Sequence, residues 1–429
     1  MTPAPAARRP QDGLAWHEQL SVSVPLWTRL PDETAIKRIC RNHLIRLYRD
    51  NDVDTACTVS FFASDAFNKF YLATTKHRKG LMRVSLPVYP AHKTRGEVAT
   101  LRWVRKNSSI PVPRVLAFDD TNSNELGFEW ILTEFMPGEP AERVWWTMSR
   151  ERKEALVRRL ASYQAELARA ATTQAFDTIG TLIAVDCIKE FPARSWTPLK
   201  VRFDRLVAPE VFLGSRLKLK GPRGPYRSSQ EWFTGTLSMI IQVQNNIIGQ
   251  TTGDRKFDRL CAETTRTIAE KLLRVLPKVF PGHDLQTDTH GHNTAEQTYL
   301  HHDNLNLQNI LLDEKGAVSG ILNWEFVSAL PLWTSARLPQ FLRDNQGWAE
   351  VNYNRTVETP EYKNRAMTRS TKAMPSMTLR KESLLKVYMY EAVLSCASWW
   401  FLEGICRWAD AIEAGTVIKD GTVQSWMEF

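Results

Sequence analysis

Residues 299–325 read Tyr299-Leu300-His301-His302-Asp303-Asn304-Leu305-Asn306-Leu307-Gln308-Asn309-Ile310-Leu311-Leu312-Asp313-Glu314-Lys315-Gly316-Ala317-Val318-Ser319-Gly320-Ile321-Leu322-Asn323-Trp324-Glu325. Two apolar runs flank Asp313-Glu314-Lys315-Gly316, a hairpin turn signal. Antiparallel pairing brings Asn309, before the first strand, close to Asn323 at the end of the second. The polar loop His302 to Gln308 sits beside both. A polar cluster at the open end of a hairpin, entered from a loop, is geometry suited to phosphoryl transfer. That chemistry needs one residue to orient the nucleophile and oxygen ligands to hold magnesium on the phosphates.

Upstream, Thr55 to Phe62, Phe67 to Thr74 and Gly80 to Leu86 are rich in β-branched and aromatic residues and predict three strands. Gly96 to Lys106 predicts a helix, and Pro111-Val112-Pro113 ends any helix before it. Arg114 to Phe118 and Phe128 to Met136 predict two more strands. Ala35 to Tyr48 has helical spacing. The first third is therefore expected to be a five-stranded sheet carrying one inserted helix, broken at Pro137-Gly138. Residues 1–30 are Pro-rich and predict an irregular arm. Beyond residue 138 helices dominate: Leu156, Leu160, Tyr163 and Leu167 fall on one face, as do Phe257, Cys261, Thr264, Ile268 and Leu272. Both stripes predict core packing. Between them lies a basic Gly-Pro loop over 218–227. Residues 282–297 predict a polar loop, 347–380 a polar tail, and Ser383 to Ala414 an apolar, Trp-rich helical block.

Composition bounds the function. The 429 residues are 43% apolar and 24% charged, as in globular proteins. Wholly disordered, collagen-like and low-complexity classes are excluded. The length suggests two or three compact units at roughly 100–200 residues each. Lys and Arg total 56 against 47 Asp and Glu, a net charge of +9, which favours anionic ligands. No zinc-finger spacing or RNP-like aromatic motif accompanies it, so no nucleic-acid partner is expected. The six cysteines form no C-x-x-C pair, which reads as a reducing compartment. The longest apolar stretch, Ala392 to Leu402, falls short of the ~20 residues of a membrane span, so no membrane partner is expected. The cytoplasm is the default location. Arg8 and Arg9 among alanines hint at a mitochondrial presequence, although Asp12 and Glu18 soon follow.

On these motifs the chain resembles the aminoglycoside phosphotransferase family, in its fungal branch, which shares the protein-kinase-like fold with choline kinases. Members read His-x-Asp-x-x-x-x-Asn and end the hairpin in Asp-Trp-Glu. Here His302 and Asn309 match the first motif, and Trp324 and Glu325 match the second. The resemblance runs roughly from Trp27 to Phe341. It implies an α+β, two-lobed fold, with an arm over 1–30, a nucleotide-binding lobe over 31–138 and a mainly helical lobe over 139–429. It implies ATP and Mg2+ as cofactors and a small-molecule acceptor as partner. It places Arg83 on the nucleotide phosphates, paired with Glu97, and puts Asn68 and Lys69 in the phosphate-loop region. Glu134 and Met136 fall at the hinge where adenine would lie. Asn309 and residue 323 fall at the metal. For Arg83 and Glu97 an ordinary cross-element salt bridge is the competing reading, and for Lys69 a solvated turn.

The departures from the family pattern bear directly on function. The catalytic aspartate falls on Asn304 and the magnesium-binding aspartate on Asn323. A carboxamide carries no charge and is no useful general base, and magnesium is usually held by one or two carboxylates plus phosphate. Asp303 and Glu325 are the remaining acids. Asp303 is one position early, so its side chain is expected to point elsewhere. Glu325, two residues past Asn323, is expected to share a strand face with it and is the remaining metal candidate. Engineered silencing and natural conversion would leave the same pair of amides. Three functions follow: a small-molecule phosphotransferase by descent with impaired transfer, a pseudokinase binding module, or a cleft converted to other chemistry in fungal secondary metabolism, using His302, Asp303 and Glu325.

Overall fold

The structure is a computed structural model that describes residues 9–19, 22–48, 56–186, 188–191, 199–250, 256–281, 296–342, 381–396, 401–419 and 422–429. Arg8, most of the 282–297 loop and the 347–380 tail lie outside the described residues.

The expected five-stranded sheet is present. Strands β3 (Thr58–Ser64), β4 (Asn68–Thr74), β5 (Lys79–Ser85), β6 (Val115–Asp119) and β7 (Glu129–Glu134) pair antiparallel in the order β3-β4-β5-β7-β6. Period-two alternation gives the sheet two different faces. Tyr71, Ala73, Met82, Val84, Trp130 and Leu132 are buried on one face under α1 (Glu33–Tyr48), which contributes Ile36, Ile39, Cys40 and Leu44. Arg83 and Ser85 point to the other face, toward α2 (His92–Asn107) and the second lobe.

Helix α2 begins four residues before the expected Gly96. The first turn lacks a side-chain cap: Ala91 sits at φ 63 and makes no capping bond. Its amide instead donates to Glu129 Oε1 of β7 at 2.7 Å. The start of this helix is set by a distant strand, so local cap signals could not reveal it. Residues 14–27 also depart from the expected irregular arm. Strands β1 (Leu14–Gln19) and β2 (Val22–Trp27) form a hairpin, with Trp16 opposite Pro25. A two-stranded ribbon has a free edge on each strand, where a proline lacking N–H is tolerated.

The chain leaves β7 through a hinge and re-pairs at once. The short strand β8 (Glu139–Pro140) lies on Leu311 and Leu312 of β12 (Ile310–Leu312), and β12 pairs with β13 (Val318–Ile321). The turn forms as expected: Asp313 Oδ1 accepts from Lys315 N and Ala317 N, and Gly316 takes φ 80. Ser319 Oγ donates to Pro137 O at 2.9 Å, fastening the hinge to the hairpin.

The second lobe is mainly helical. Helix α3 (Ala141–Trp145) leads to α4 (Arg150–Thr173), whose predicted stripe Leu156, Leu160, Tyr163 and Leu167 is buried against α2 and the hairpin. Strands β9 (Thr181–Ala184) and β10 (Val201–Asp204) and the short helix α5 (Pro209–Phe212) follow. Helices α6 (Ser229–Gln250) and α7 (Lys256–Val279) pack a second core with α9 (Lys381–Ser395) and α10 (Leu402–Ala414) around Trp232, Phe233, Trp333, Tyr390 and Trp408. The α7 stripe holds at Ile268 and Leu272. At Phe257, on the first turn of α7, the side chain is 62% exposed, because that turn lies beyond the packed core. Strands β11 (Thr298–His301) and β14 (Ser328–Pro331) pair beneath the 302–308 loop and run into α8 (Leu332–Ser335). Among the described residues, no helix is long and apolar enough to cross a membrane.

Gly180 joins these pieces: its N–H donates to Ala329 O, and an added Cβ would sit 2.4 Å from Asp204 O. Gly180→Ala should destabilise the protein by about 1–3 kcal/mol, the range for overpacking against a backbone that must shift. Urea unfolding of wild type and variant measures it.

Candidate functional site: the cleft between sheet and hairpin

The residues expected to act together converge from both lobes. The open end of the hairpin closes as predicted, with Leu322 N donating to Asn309 O at 2.8 Å. Asn306 caps the short turn before β12 by accepting from Gln308 N and Asn309 N. Asn309 Nδ2 then donates to Asn304 O at 2.8 Å, and Asn306 Nδ2 donates to Asn304 Oδ1 at 2.8 Å. This asparagine ladder shapes the loop and leaves Asn304 exposed. Asn323 sits at φ 59, the left-handed region that Asn and Asp adopt most readily after Gly.

His302 ties the loop to the strand end. Its Nε2 donates to Leu322 O at 3.0 Å, and its ring meets Trp324 edge-on at 4.8 Å. A carbonyl can only accept, so Nε2 carries the proton. Burial disfavours the second proton and pushes the pKa down to about 4. His302 is therefore a neutral brace. Asp303 points away, as expected: it accepts from Arg337 Nη2 at 3.0 Å and lies 3.3 Å from His301 Nε2.

Glu325 does not share a strand face with Asn323. Strand β13 ends at Ile321, and the left-handed turns at Asn323 and Phe326 swing the carboxylate toward the first lobe. There Glu325 Oε2 accepts from Lys93 Nζ at 2.9 Å and Asn68 Nδ2 at 2.9 Å, with Arg83 Nη1 at 3.6 Å. Arg83 also pairs with Glu97. All four charged side chains are under 10% exposed. Burial alone would raise the Glu325 pKa, but Lys93 and then Arg83 outweigh it and hold the carboxyl below its ordinary range.

Lys93 is the residue that sequence reading missed. Its Nζ also donates to Asn68 Oδ1 at 2.7 Å and Ser85 Oγ at 3.2 Å, so all three protons are used. It lies one turn before Glu97 on the same helical face. That i, i+4 relation would have exposed it had the helix start been legible.

Lys69 is corrected. Neighbouring residues on a strand face opposite ways, and Lys69 lies over the rings of Trp27 and Phe61 at 5.3 and 5.9 Å, on the α1 side of the sheet. It does not enter the cleft. Glu134 pairs with Arg114 Nη1 at 3.3 Å, which commits its side chain to that guanidinium and leaves its backbone at the hinge. Met136 lies within reach of Gly320 on the hairpin, so it sits where hinge and hairpin meet.

The site offers a fit for an anion. Arg83 Nε and Nη2 are buried donors with no partner among the described residues, which is costly unless a ligand or water fills them. One feature opposes it: Asp65 Oδ1 accepts from Phe67 N at 2.8 Å and Asn68 N at 2.7 Å. Amides of a hairpin turn that could grip phosphate are taken by the chain's own carboxylate. For magnesium the residues do not fit. Asn309 and Asn323 are neutral, Glu325 is neutralised by cations, and the described residues hold no group of three His, Cys, Asp or Glu able to ligate a metal.

The comparisons agree with this architecture. The phosphotransferase enzyme family (APH) matches residues 58–334, more than half of the chain, and the chain belongs to that family. Its fold is a two-lobed α+β fold, a five-stranded antiparallel sheet joined to a mainly helical lobe. Subtelomeric hrmA-associated cluster proteins from two strains of Aspergillus fumigatus are 26% identical over 317 residues, 66% of this chain and 60% of each relative. This chain thus matches less than two thirds of those relatives' length. The mitochondrial protein altered inheritance of mitochondria 9 of Candida tropicalis is 39% identical over 64 residues, 15% of this chain and 10% of the relative. Among solved structures, a thermostable aminoglycoside phosphotransferase APH(4)-Ia variant in ternary complex with ADP and hygromycin B superposes with TM-score 0.44 at 14% identity, covering 89% of this chain and 98% of that one. The GDP complex of aminoglycoside 2'-phosphotransferase-IIIa gives TM-score 0.41 at 12% identity, covering 88% and 95%.

Two outcomes follow. Lys93→Met removes one partner of a buried pair and should cost about 3–5 kcal/mol, measured by urea unfolding at pH 7. The loss should shrink as pH falls and Glu325 protonates, and adding Glu325→Gln should recover most of it. For His302, the folded pKa of about 4 lies below the unfolded value near 6.5, so the unfolded state binds more protons between them. Stability is therefore full above pH 6.5 and lost on acidification toward pH 4. His302→Gln, whose amide nitrogen reaches the Nε2 position and can still donate to Leu322 O, should flatten that part of the melting-temperature profile.

Proposed function

We propose that this chain is a nucleotide-binding member of the phosphotransferase family, by descent an ATP-dependent small-molecule kinase, whose phosphoryl transfer is impaired. One observation carries the reading: the hairpin's open end presents amides at Asn304, Asn309 and Asn323, while the two nearest carboxylates are already committed. Asp303 is held by Arg337, and Glu325 by Lys93 and Asn68. Neither can stand in as base or metal ligand without breaking those contacts.

In this reading, the unfilled donors of Arg83 receive the phosphates. The backbone of Glu134 to Met136 lies along the base, and Asn304 faces the acceptor. Asn304 can hold an acceptor hydroxyl by hydrogen bonding but cannot take its proton. The cleft then works mainly by binding. Magnesium, when bound in active relatives of this type, neutralises phosphate charge; among the described residues, the two acids nearest the hairpin's open end, Asp303 and Glu325, are committed elsewhere.

Calorimetric titration of ATP should show saturable binding that changes little when magnesium is added. In Asn304→Asp/Asn323→Asp, binding should become magnesium-dependent and ATP hydrolysis should rise by roughly 10²-fold, the lower end of what a positioned base contributes. Absence of ATP binding in both conditions, or a double variant as inert as the parent across acceptors, would overturn the reading.

A further inference from the structure

A cavity of about 410 Å³ lies behind the catalytic loop, between α4, β11, α8 and the hairpin. None of Arg83, Lys93, Glu97, Asn304, Asn309 or Asn323 lines it, so it is separate from the cleft. Its volume falls in the range of small-ligand sites. Its body is apolar: Leu160, Leu167, Leu305, Ile321 and Trp324 form much of the wall.

The polar groups on that wall are mostly occupied. Ser335 Oγ donates to Tyr299 O and Leu330 O. Thr172 and Thr173 bond back to Ala168 O and Arg169 O within α4. His302 Nε2 is used on Leu322 O. A polar ligand body would find few partners there.

Two groups are exceptions: His302 Nδ1, a buried acceptor with no partner among the described residues, and Arg169. Arg169 lines the cavity and is exposed on α4, which places it where the cavity opens to solvent. Its guanidinium has no acidic partner among the described residues. The acid three residues before it, Glu166, is committed to Ser109, accepting from its N at 2.6 Å and its Oγ at 2.9 Å. An apolar chamber with one uncompensated cation at its opening suits one kind of molecule.

We propose that this cavity binds an amphipathic carboxylate, its hydrocarbon or ring body inside and its anionic head on Arg169. The wall includes His302, Leu305 and Trp324, so the occupant would rest against the residues that brace the catalytic loop. The site is independent of the nucleotide reading, because the two share no lining residue named above.

The test titrates octanoate and, separately, 1-octanol into the full chain by calorimetry. Octanoate should bind one to one and about fivefold more tightly than octanol, the upper end of what a solvent-exposed ion pair contributes. Arg169→Gln, an exposed change that leaves the core intact, should abolish that preference while octanol still binds. Ala168→Trp, which fills the cavity from α4, should remove binding of both. Octanoate should also raise the melting temperature of wild type but not of Ala168→Trp. No saturable binding of octanoate, equal binding of acid and alcohol in wild type, or an unchanged preference in Arg169→Gln would each overturn the proposal. The Arg169 arm keeps it falsifiable should the tryptophan variant fail to fold.

Discussion

The buried carboxylate of Glu325 is the point on which both lobes depend. It belongs to the segment that follows the hairpin of the helical lobe, yet its partners Lys93, Asn68 and Arg83 all come from the sheet lobe. Such a charge is tolerable in the interior only because the cations and amide meet it at close range. The contacts therefore do more than neutralise: they fix how the sheet sits over the hairpin. The left-handed turns at Asn323 and Phe326 follow from this requirement, since an extended continuation of β13 would aim Glu325 elsewhere.

That arrangement gives the two asparagines their consequence. With Asn304 and Asn323 uncharged, three acids that the described residues place around the cleft are each paired with a cation. Glu97 serves Arg83, Glu325 serves Lys93, and Asp303 serves Arg337. Asp65 adds a carboxylate that occupies the amides of its own turn. The positive side keeps one resource unspent, the two orphaned donors of Arg83. Buried donors of this kind are costly unless a ligand or water fills them.

The loop itself is held from behind. His302 spans from the loop to Leu322 O, and the asparagine ladder of 304, 306 and 309 links the loop to β12. The hinge is stitched to the same hairpin through β8 and Ser319. One small hairpin therefore carries the loop, the hinge and the residue that grips the other lobe.

The amino-acid sequence by itself determined the sheet strands, the hairpin and its turn, the α4 stripe, the family and the pairing of Arg83 with Glu97. The strands, the hairpin and the stripe rest on short-range alternation, helical spacing or local turn chemistry, whereas the family and the Arg83–Glu97 pairing came from the resemblance of the motifs to that family. Only the tertiary structure decided the rest. The start of α2 depends on Glu129, thirty-eight residues away from Ala91, so Lys93 stayed hidden. The face of β4 on which Lys69 falls depends on strand register against β5 and on Trp27. The β1–β2 hairpin was masked by prolines that a ribbon edge accepts. The direction of Glu325 depends on two left-handed residues whose conformation the distant Lys93 and Asn68 reward. Local propensity records what a segment can do; which of its options is taken was set here by charges that meet only after the lobes come together.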